Sequence, residues 1–203
     1  MNRRAVMGLA LIGVTAVVVG AVLAQMLTPV SVPLDSGTWL PQPTPLPAFH
    51  LMDLSGHDFD LHSLQGHPTL MFFGFTHCPD VCPVTLATLA QVQRSAPLAG
   101  TRTVFVTIDP QRDSAAVLRV YLGEFSHRLD GVRGSPAALA PLLAGLHVVA
   151  QRQGLPGGGY TMIHSATLYL IDTHGRLAAV FSPPFAAAAL TADLRRIAAV
   201  GLL

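Results

Sequence analysis

TLMFFGFTHCPDVCPVTL, residues Thr69 to Leu86, says more about the architecture of this chain than any other stretch. Thr69 to Thr76 is a continuous apolar run, the pattern of a strand buried on both faces. It leads straight into Cys78 and Cys82, and Val84 to Val92 then places apolar residues at helical spacing. Pro79 and Pro83 fit a helix start here, because the first N–H groups of a helix have no intrahelical partner and Asp80 or a neighbour can cap them. Thiols at such a start lie near unpaired N–H groups and the positive end of the helix dipole. Both favour thiolate, the form that binds metal and attacks disulfides.

Outward from this core, strands and helices alternate. Phe49 to Leu64, with Ser55-Gly56 in its middle, reads as a hairpin or a pair of short strands, and Thr103 to Ile108 as a strand. Ser114 to Phe125, with Ser114 as N-cap, and Ser135 to Leu143 read as helices. Leu146 to Ala150 reads as a short strand, Ala166 to Ile171 with Leu177 to Phe181 as a hairpin turning at His174-Gly175, and Ala187 to Val200 as an amphipathic helix. This order predicts an α/β domain with a mixed central sheet flanked by helices. A buried central strand running into a cysteine-bearing helix start narrows it to a thioredoxin-like fold.

The chain has 203 residues, enough for one domain and a targeting segment. The formal charge is +1 and no Lys/Arg stripe could neutralise a row of phosphates, so nucleic acid is not an expected partner. Residues 1–27 read as a membrane anchor: Arg3 and Arg4 precede an uncharged segment whose strongly apolar part, Ala5 to Leu27, is long enough to span a bilayer. The positive-inside tendency then places the rest across the membrane, with a bacterial inner membrane and a periplasmic domain as the simplest setting. A signal peptide cleaved near Val22-Leu23-Ala24 is the alternative. Residues 28–47, with Pro41, Pro43, Pro45 and Pro47, read as an extended proline-rich linker holding residues 48–203 away from the membrane.

Across the membrane from the cytosol, a close cysteine pair is expected to be oxidised or metal-bound. A disulfide across so short a loop removes little chain entropy. Helical residues four apart have Cβ atoms about 5–6 Å apart, wider than the roughly 3.5–4.5 Å a disulfide prefers. A metal accepts the wider spacing. CxxxC therefore suits a metal clamp as well as a redox pair, and Cys78 and Cys82 remain candidates for both.

Phe73 to Pro83, FGFTHCPDVCP, resembles the signature of the Sco/SenC family of copper chaperones for cytochrome c oxidase assembly. Two further stretches are similar to that family: Ile108 to Asp113 (IDPQRD), and Tyr160 to Ser165 (YTMIHS) followed by Tyr169 to Asp172. Ser114-Ala115 and Thr173 depart mildly from its pattern. The resemblance implies metal ligands Cys78, Cys82 and His164, a choice of histidine that spacing alone would not make. It implies copper as cofactor, Cu(I) and also Cu(II), and delivery to the oxidase's copper-bearing subunit, with a periplasmic copper donor or thiol reductant as a further partner. Such a protein is a carrier more than an enzyme. A membrane-tethered thiol-disulfide oxidoreductase that reduces the cysteines of the oxidase copper site is the rival. His77 competes by adjacency, whereas the other seven histidines read as surface or core residues. Asp80, Asp109 and Asp113 are candidates to support the ligands or dock a partner, against the plainer roles of capping and turn formation.

Overall fold

The computed structural model describes residues 16–21, 31–95 and 100–201. The chain divides at Ser31/Val32 into two units. In the first, residues 16–21 are helical, and the rest of the anchor segment lies outside the described residues. No helix among the described residues is long and apolar enough to cross a membrane.

The second unit is built on an eight-stranded mixed sheet. Its strands are β1 (Gly37–Pro45), β2 (His50–Asp53), β3 (Asp58–Asp60), β4 (Thr69–Gly74), β5 (Arg102–Thr107), β6 (Leu129–Arg133), β9 (Leu168–Ile171) and β10 (Arg176–Phe181), in the order β1-β10-β9-β4-β5-β6-β2-β3. Strands β4, β5 and β6 are parallel, and β9 closes antiparallel on the other side of β4. Every residue of β4 is buried, as its unbroken apolar run requires. Strands β7 (Ala150–Gly154) and β8 (Tyr160–His164) form a separate two-stranded sheet. Helices α1 (Val81–Ser95), α2 (Ala115–Gly123), α3 (Pro136–Gly145) and α4 (Ala187–Ala199) flank the main sheet. α1 packs on α4, and α2 lies against β6. This is the thioredoxin-like arrangement expected.

Local chemistry explains the helix starts. Ser114 Oγ accepts from the Val117 N–H and Ser135 Oγ from the Ala138 N–H, both at 3.2 Å, so each serine satisfies one unpaired donor of the first turn. In α1 the buried stripe runs through Cys82, Leu86 and Leu89. Helical spacing therefore puts the second cysteine on the core side.

Three expectations are corrected. The proline-rich linker expected over residues 28–47 is, in its described part from residue 31 on, not a free spacer: Gly37–Pro45 is the edge strand β1, antiparallel to β10, and Val32, Trp39 and Leu46 are buried in the core. An edge strand is hydrogen-bonded on one side only, so it tolerates prolines. Register slips between Trp39 and Thr44, where Pro41 and Pro43 stand. The entry to β1 is also fastened. Buried Asp193 of α4 accepts from the Asp35 N–H, the Ser36 N–H and the Ser36 hydroxyl, and pairs with Arg196.

Leu146 to Ala150 is not a strand. His147, at φ 53°, takes the left-handed position after α3. Its N–H reaches the Ala144 carbonyl, and the Val148 N–H reaches that of Leu143. Leu146 and Val148 thus belong to a Schellman-type helix end, and β7 starts only at Ala150. Finally, β6 is a strand that the apolar pattern does not announce. In Leu129–Arg133, Asp130 and Gly131 interrupt the run, and a Cβ at Gly131 would stand 2.6 Å from a Leu54 methyl carbon. Close packing there demands glycine.

Candidate metal centre

The site forms at the carboxyl ends of the two central parallel strands. Gly74 and Thr107, the last residues of β4 and β5, are in register, so the turns that follow them share one edge, the usual location of sites in such sheets. After β4, the Cys78 N–H bonds the Phe75 carbonyl and the Val84 N–H that of Asp80, which starts α1 beneath the first cysteine. The Cys82 N–H lies 3.4 Å from Cys78 Sγ. Gly74 leaves the space for Cys82: a Cβ there would sit 2.8 Å from Cys82 Sγ and 2.8 Å from the Phe105 ring.

The third member comes from the end of β8. His164 Nε2 lies 3.8 Å from Cys78 Sγ and 3.5 Å from Cys82 Sγ, and all three atoms fall within 4.8 Å of one another. His164 Nδ1 lies 3.0 Å from the Ser165 carbonyl. A carbonyl only accepts, so Nδ1 is the donor there, which leaves Nε2 as the ring nitrogen that faces the sulfurs. The ring packs edge-on against Phe75, with centroids 5.7 Å apart, and against Phe72 at 6.3 Å. Ligands about 2.0–2.3 Å from one ion at trigonal angles stand roughly 3.5–4 Å apart. The two nitrogen–sulfur distances fall in that range. The donor set is therefore shaped for a soft ion of low coordination number.

Both cysteines are buried free thiols, and their acidities are driven apart. The Cys78 thiol is lowered to about 4, chiefly because Cys82 donates its S–H to it; burial opposes this, while His164 and the N–H groups of Asp80 and Cys82 assist. Cys82 is pushed far up because Cys78 holds its proton, and burial adds to the rise. Together they form one thiolate and one thiol, and binding a metal would release the remaining proton to solvent.

The aspartates fall into two groups. Asp80 is exposed beside the cysteines, its backbone facing Cys78. Asp109 and Asp113 are buried, so neither offers a carboxylate to a docking partner. Asp113 accepts from the Thr76 N–H at 3.1 Å, the Thr76 hydroxyl at 2.6 Å and the Thr107 hydroxyl at 2.5 Å. It thereby ties the turn before Cys78 to the end of β5. Because the Thr76 hydroxyl spends its proton on Asp113, His77 Nδ1, 3.1 Å from that oxygen, must be the donor to it. His77 is exposed and is not among the clustered ligand atoms. Asp109 pairs with Arg112 and accepts from the Tyr160 hydroxyl at 2.9 Å.

Sequence reasoning gave no part to Ser165, Phe72, Phe75 or Thr76. Only the YTMIHS resemblance could have pointed to Tyr160, and only IDPQRD to Arg112. Among the described residues, Cys78, Cys82 and His164 form the one group of three such side chains placed to share an ion.

Comparison with known proteins agrees with this geometry. The SCO1/SenC family model matches residues 41–199. The chain is 33% identical over 132 residues to the protein SCO2 homolog, mitochondrial, of Danio rerio, covering 63% of this chain and 47% of that protein. It spans about half to two thirds of the length of the curated relatives it matches. The structure of Bradyrhizobium japonicum ScoI with copper bound is similar at TM-score 0.68 and 37% identity, covering 75% of this chain and 99% of that one. Yeast Sco1 with copper bound is similar at TM-score 0.70 and 27% identity, covering 77% and 90%. With the family model spanning most of the chain and the cysteines and histidine assembled as described, this protein belongs to the SCO1/SenC family.

Proposed function

We propose that this protein is a copper carrier in which Cys78, Cys82 and His164 hold Cu(I), and also Cu(II), for delivery to the copper-bearing subunit of a cytochrome c oxidase. The observation that carries the proposal is the convergence of two sulfurs and one imidazole nitrogen within 4.8 Å. Soft thiolates select Cu(I) or zinc, and structural zinc normally takes four protein ligands, so a three-ligand set favours copper. Similarity to copper-bound ScoI and Sco1 supports the same ion. Arg3, Arg4 and the apolar residues 5–27 support a single-pass anchor in a bacterial inner membrane, with the carrier domain in the periplasm.

A second reading has its own observation. Cys78 is a lowered-pKa thiol beside a proton-holding partner thiol, which also suits reduction of a disulfide in the oxidase copper site. One set of measurements separates the two: copper stoichiometry and optical and paramagnetic spectra of the wild type and of Cys78→Ser, Cys82→Ser and His164→Ala, alongside turnover with a disulfide substrate. The carrier reading expects one copper per chain, lost with either cysteine and weakened with altered spectra in His164→Ala. Unchanged affinity and spectra in His164→Ala would sink the three-ligand site. Efficient disulfide turnover without tight copper binding would favour the reductase.

A further inference from the structure

The histidine stands on a hairpin outside the main sheet. Among the described strands β8 pairs only with β7, and residues 151–159 are all exposed, so pairing in the main sheet does not fix where His164 sits. Alternation along β8 puts Tyr160, Met162 and His164 on one face, and Ile163 between them is exposed. What fastens this face is the turn after β5. Arg112 lays its guanidinium on the Tyr160 ring at 3.9 Å and donates from Nη1 to the Tyr160 carbonyl at 3.0 Å. Its Nε bonds Asp109 at 2.5 Å, and the Tyr160 hydroxyl closes the triangle on the other oxygen of that carboxylate. A second guanidinium, Arg152, stacks on Tyr160 at 3.7 Å.

Arg112 also reaches the histidine by another route. Its guanidinium lies 5.8 Å from the centre of the Phe75 ring, the same ring that packs edge-on against His164. Its Nη2 is buried without a hydrogen-bond acceptor, so the aromatic faces are what remains to compensate it. Arg112 thus joins the hairpin to the ring that lines the metal centre.

We infer that Arg112, acting through Tyr160 and Phe75, is the positioning residue for His164: with this latch closed the imidazole is held against the two sulfurs, and with it open the site keeps only its sulfurs. The inference rests on the reading that Cys78, Cys82 and His164 share a metal. Retention and release of the ion are then set at Arg112, on a segment that contributes no ligand.

The test is Cu(I) affinity by chelator competition on the full chain, for Arg112→Gln in the wild type and in His164→Ala. Removing a residue that orients a ligand is expected to weaken binding about 10- to 100-fold. In the His164→Ala background the same change should add nothing, because the ligand it positions is gone. An equal loss in both backgrounds, or no loss in either, overturns the inference. Amide hydrogen exchange of the metal-free protein gives an independent readout: Arg112→Gln should speed exchange in residues 160–164 and leave β4 and β5 unchanged. Tyr160→Phe keeps the stacked ring and removes only the bond to Asp109. It should show a smaller loss of the same pattern, and it decides the matter if Arg112→Gln does not fold. If His164→Ala binds Cu(I) as tightly as the wild type, the metal reading fails by itself, and hydrogen exchange alone judges the latch.

Discussion

An ordinary thiol ionises near pH 8.5, but Cys78 sits at the start of α1 with the Cys82 proton and two backbone N–H groups directed at it. Its pKa, lowered to about 4, has a directional consequence. Thiolate persists as pH falls from 8 toward 5 and disappears only below that. Iodoacetamide labelling of the reduced, metal-free protein, followed by mass spectrometry, should therefore find Cys78 reacting at a nearly constant rate down to about pH 5, whereas a free thiol slows about tenfold per unit below its pKa. Cys82, fully buried, should stay unlabelled. An inflection near 8.5 at Cys78 would contradict the proton arrangement described. The cysteine half of this site is legible in the sequence because its causes are local: four-residue spacing, prolines at a helix start and a buried strand before them. His164 is not, since it stands 82 positions from Cys82 and only the tertiary packing of a hairpin brings it in. The support given by Ser165 comes from a backbone carbonyl, which no side-chain pattern can announce.

At the level of elements, the junction of β4 and α1 is closely packed. Gly74 is the residue where strand backbone passes directly under Cys82 Sγ and the Phe105 ring. Gly74→Ala would force a Cβ into contact with both. The expected outcome is a destabilisation of about 1–3 kcal/mol from overpacking, together with weaker copper binding as Cys82 is displaced; urea unfolding and chelator competition measure the two effects. Unchanged stability and affinity would mean that Cys82 has room to retreat. β4 follows from its unbroken apolar run, α2 and α3 from their serine caps, and α1 and α4 from apolar residues at helical spacing. Two other elements do not. β6 carries Gly131 where Leu54 and Leu122 pack close and Asp130 where the strand faces solvent and Arg102, and β1 is written in prolines because an edge strand needs only half its hydrogen bonds.

For the molecule as a whole, the position of β1 changes where the domain begins. Val32, Trp39 and Leu46 lie in the same core as β4 and β10, and Asp193 fastens the entry to the strand. A chain shortened to residues 48–203 should therefore be less stable than one of residues 32–203 by at least about 3–5 kcal/mol, the usual effect of removing one buried tryptophan. Urea midpoints compare the two. Equal midpoints would restore the view of this stretch as a spacer. The strand order also has a consequence in time. Both sulfurs belong to the first half of the sheet, and their nitrogen to a hairpin made after β6. At about 5–20 residues per second, the 82 positions between Cys82 and His164 take roughly 4–16 s to synthesise. For that interval the growing chain carries its two thiols without the imidazole that completes the site, so the three-ligand arrangement can exist only on a chain finished through β8.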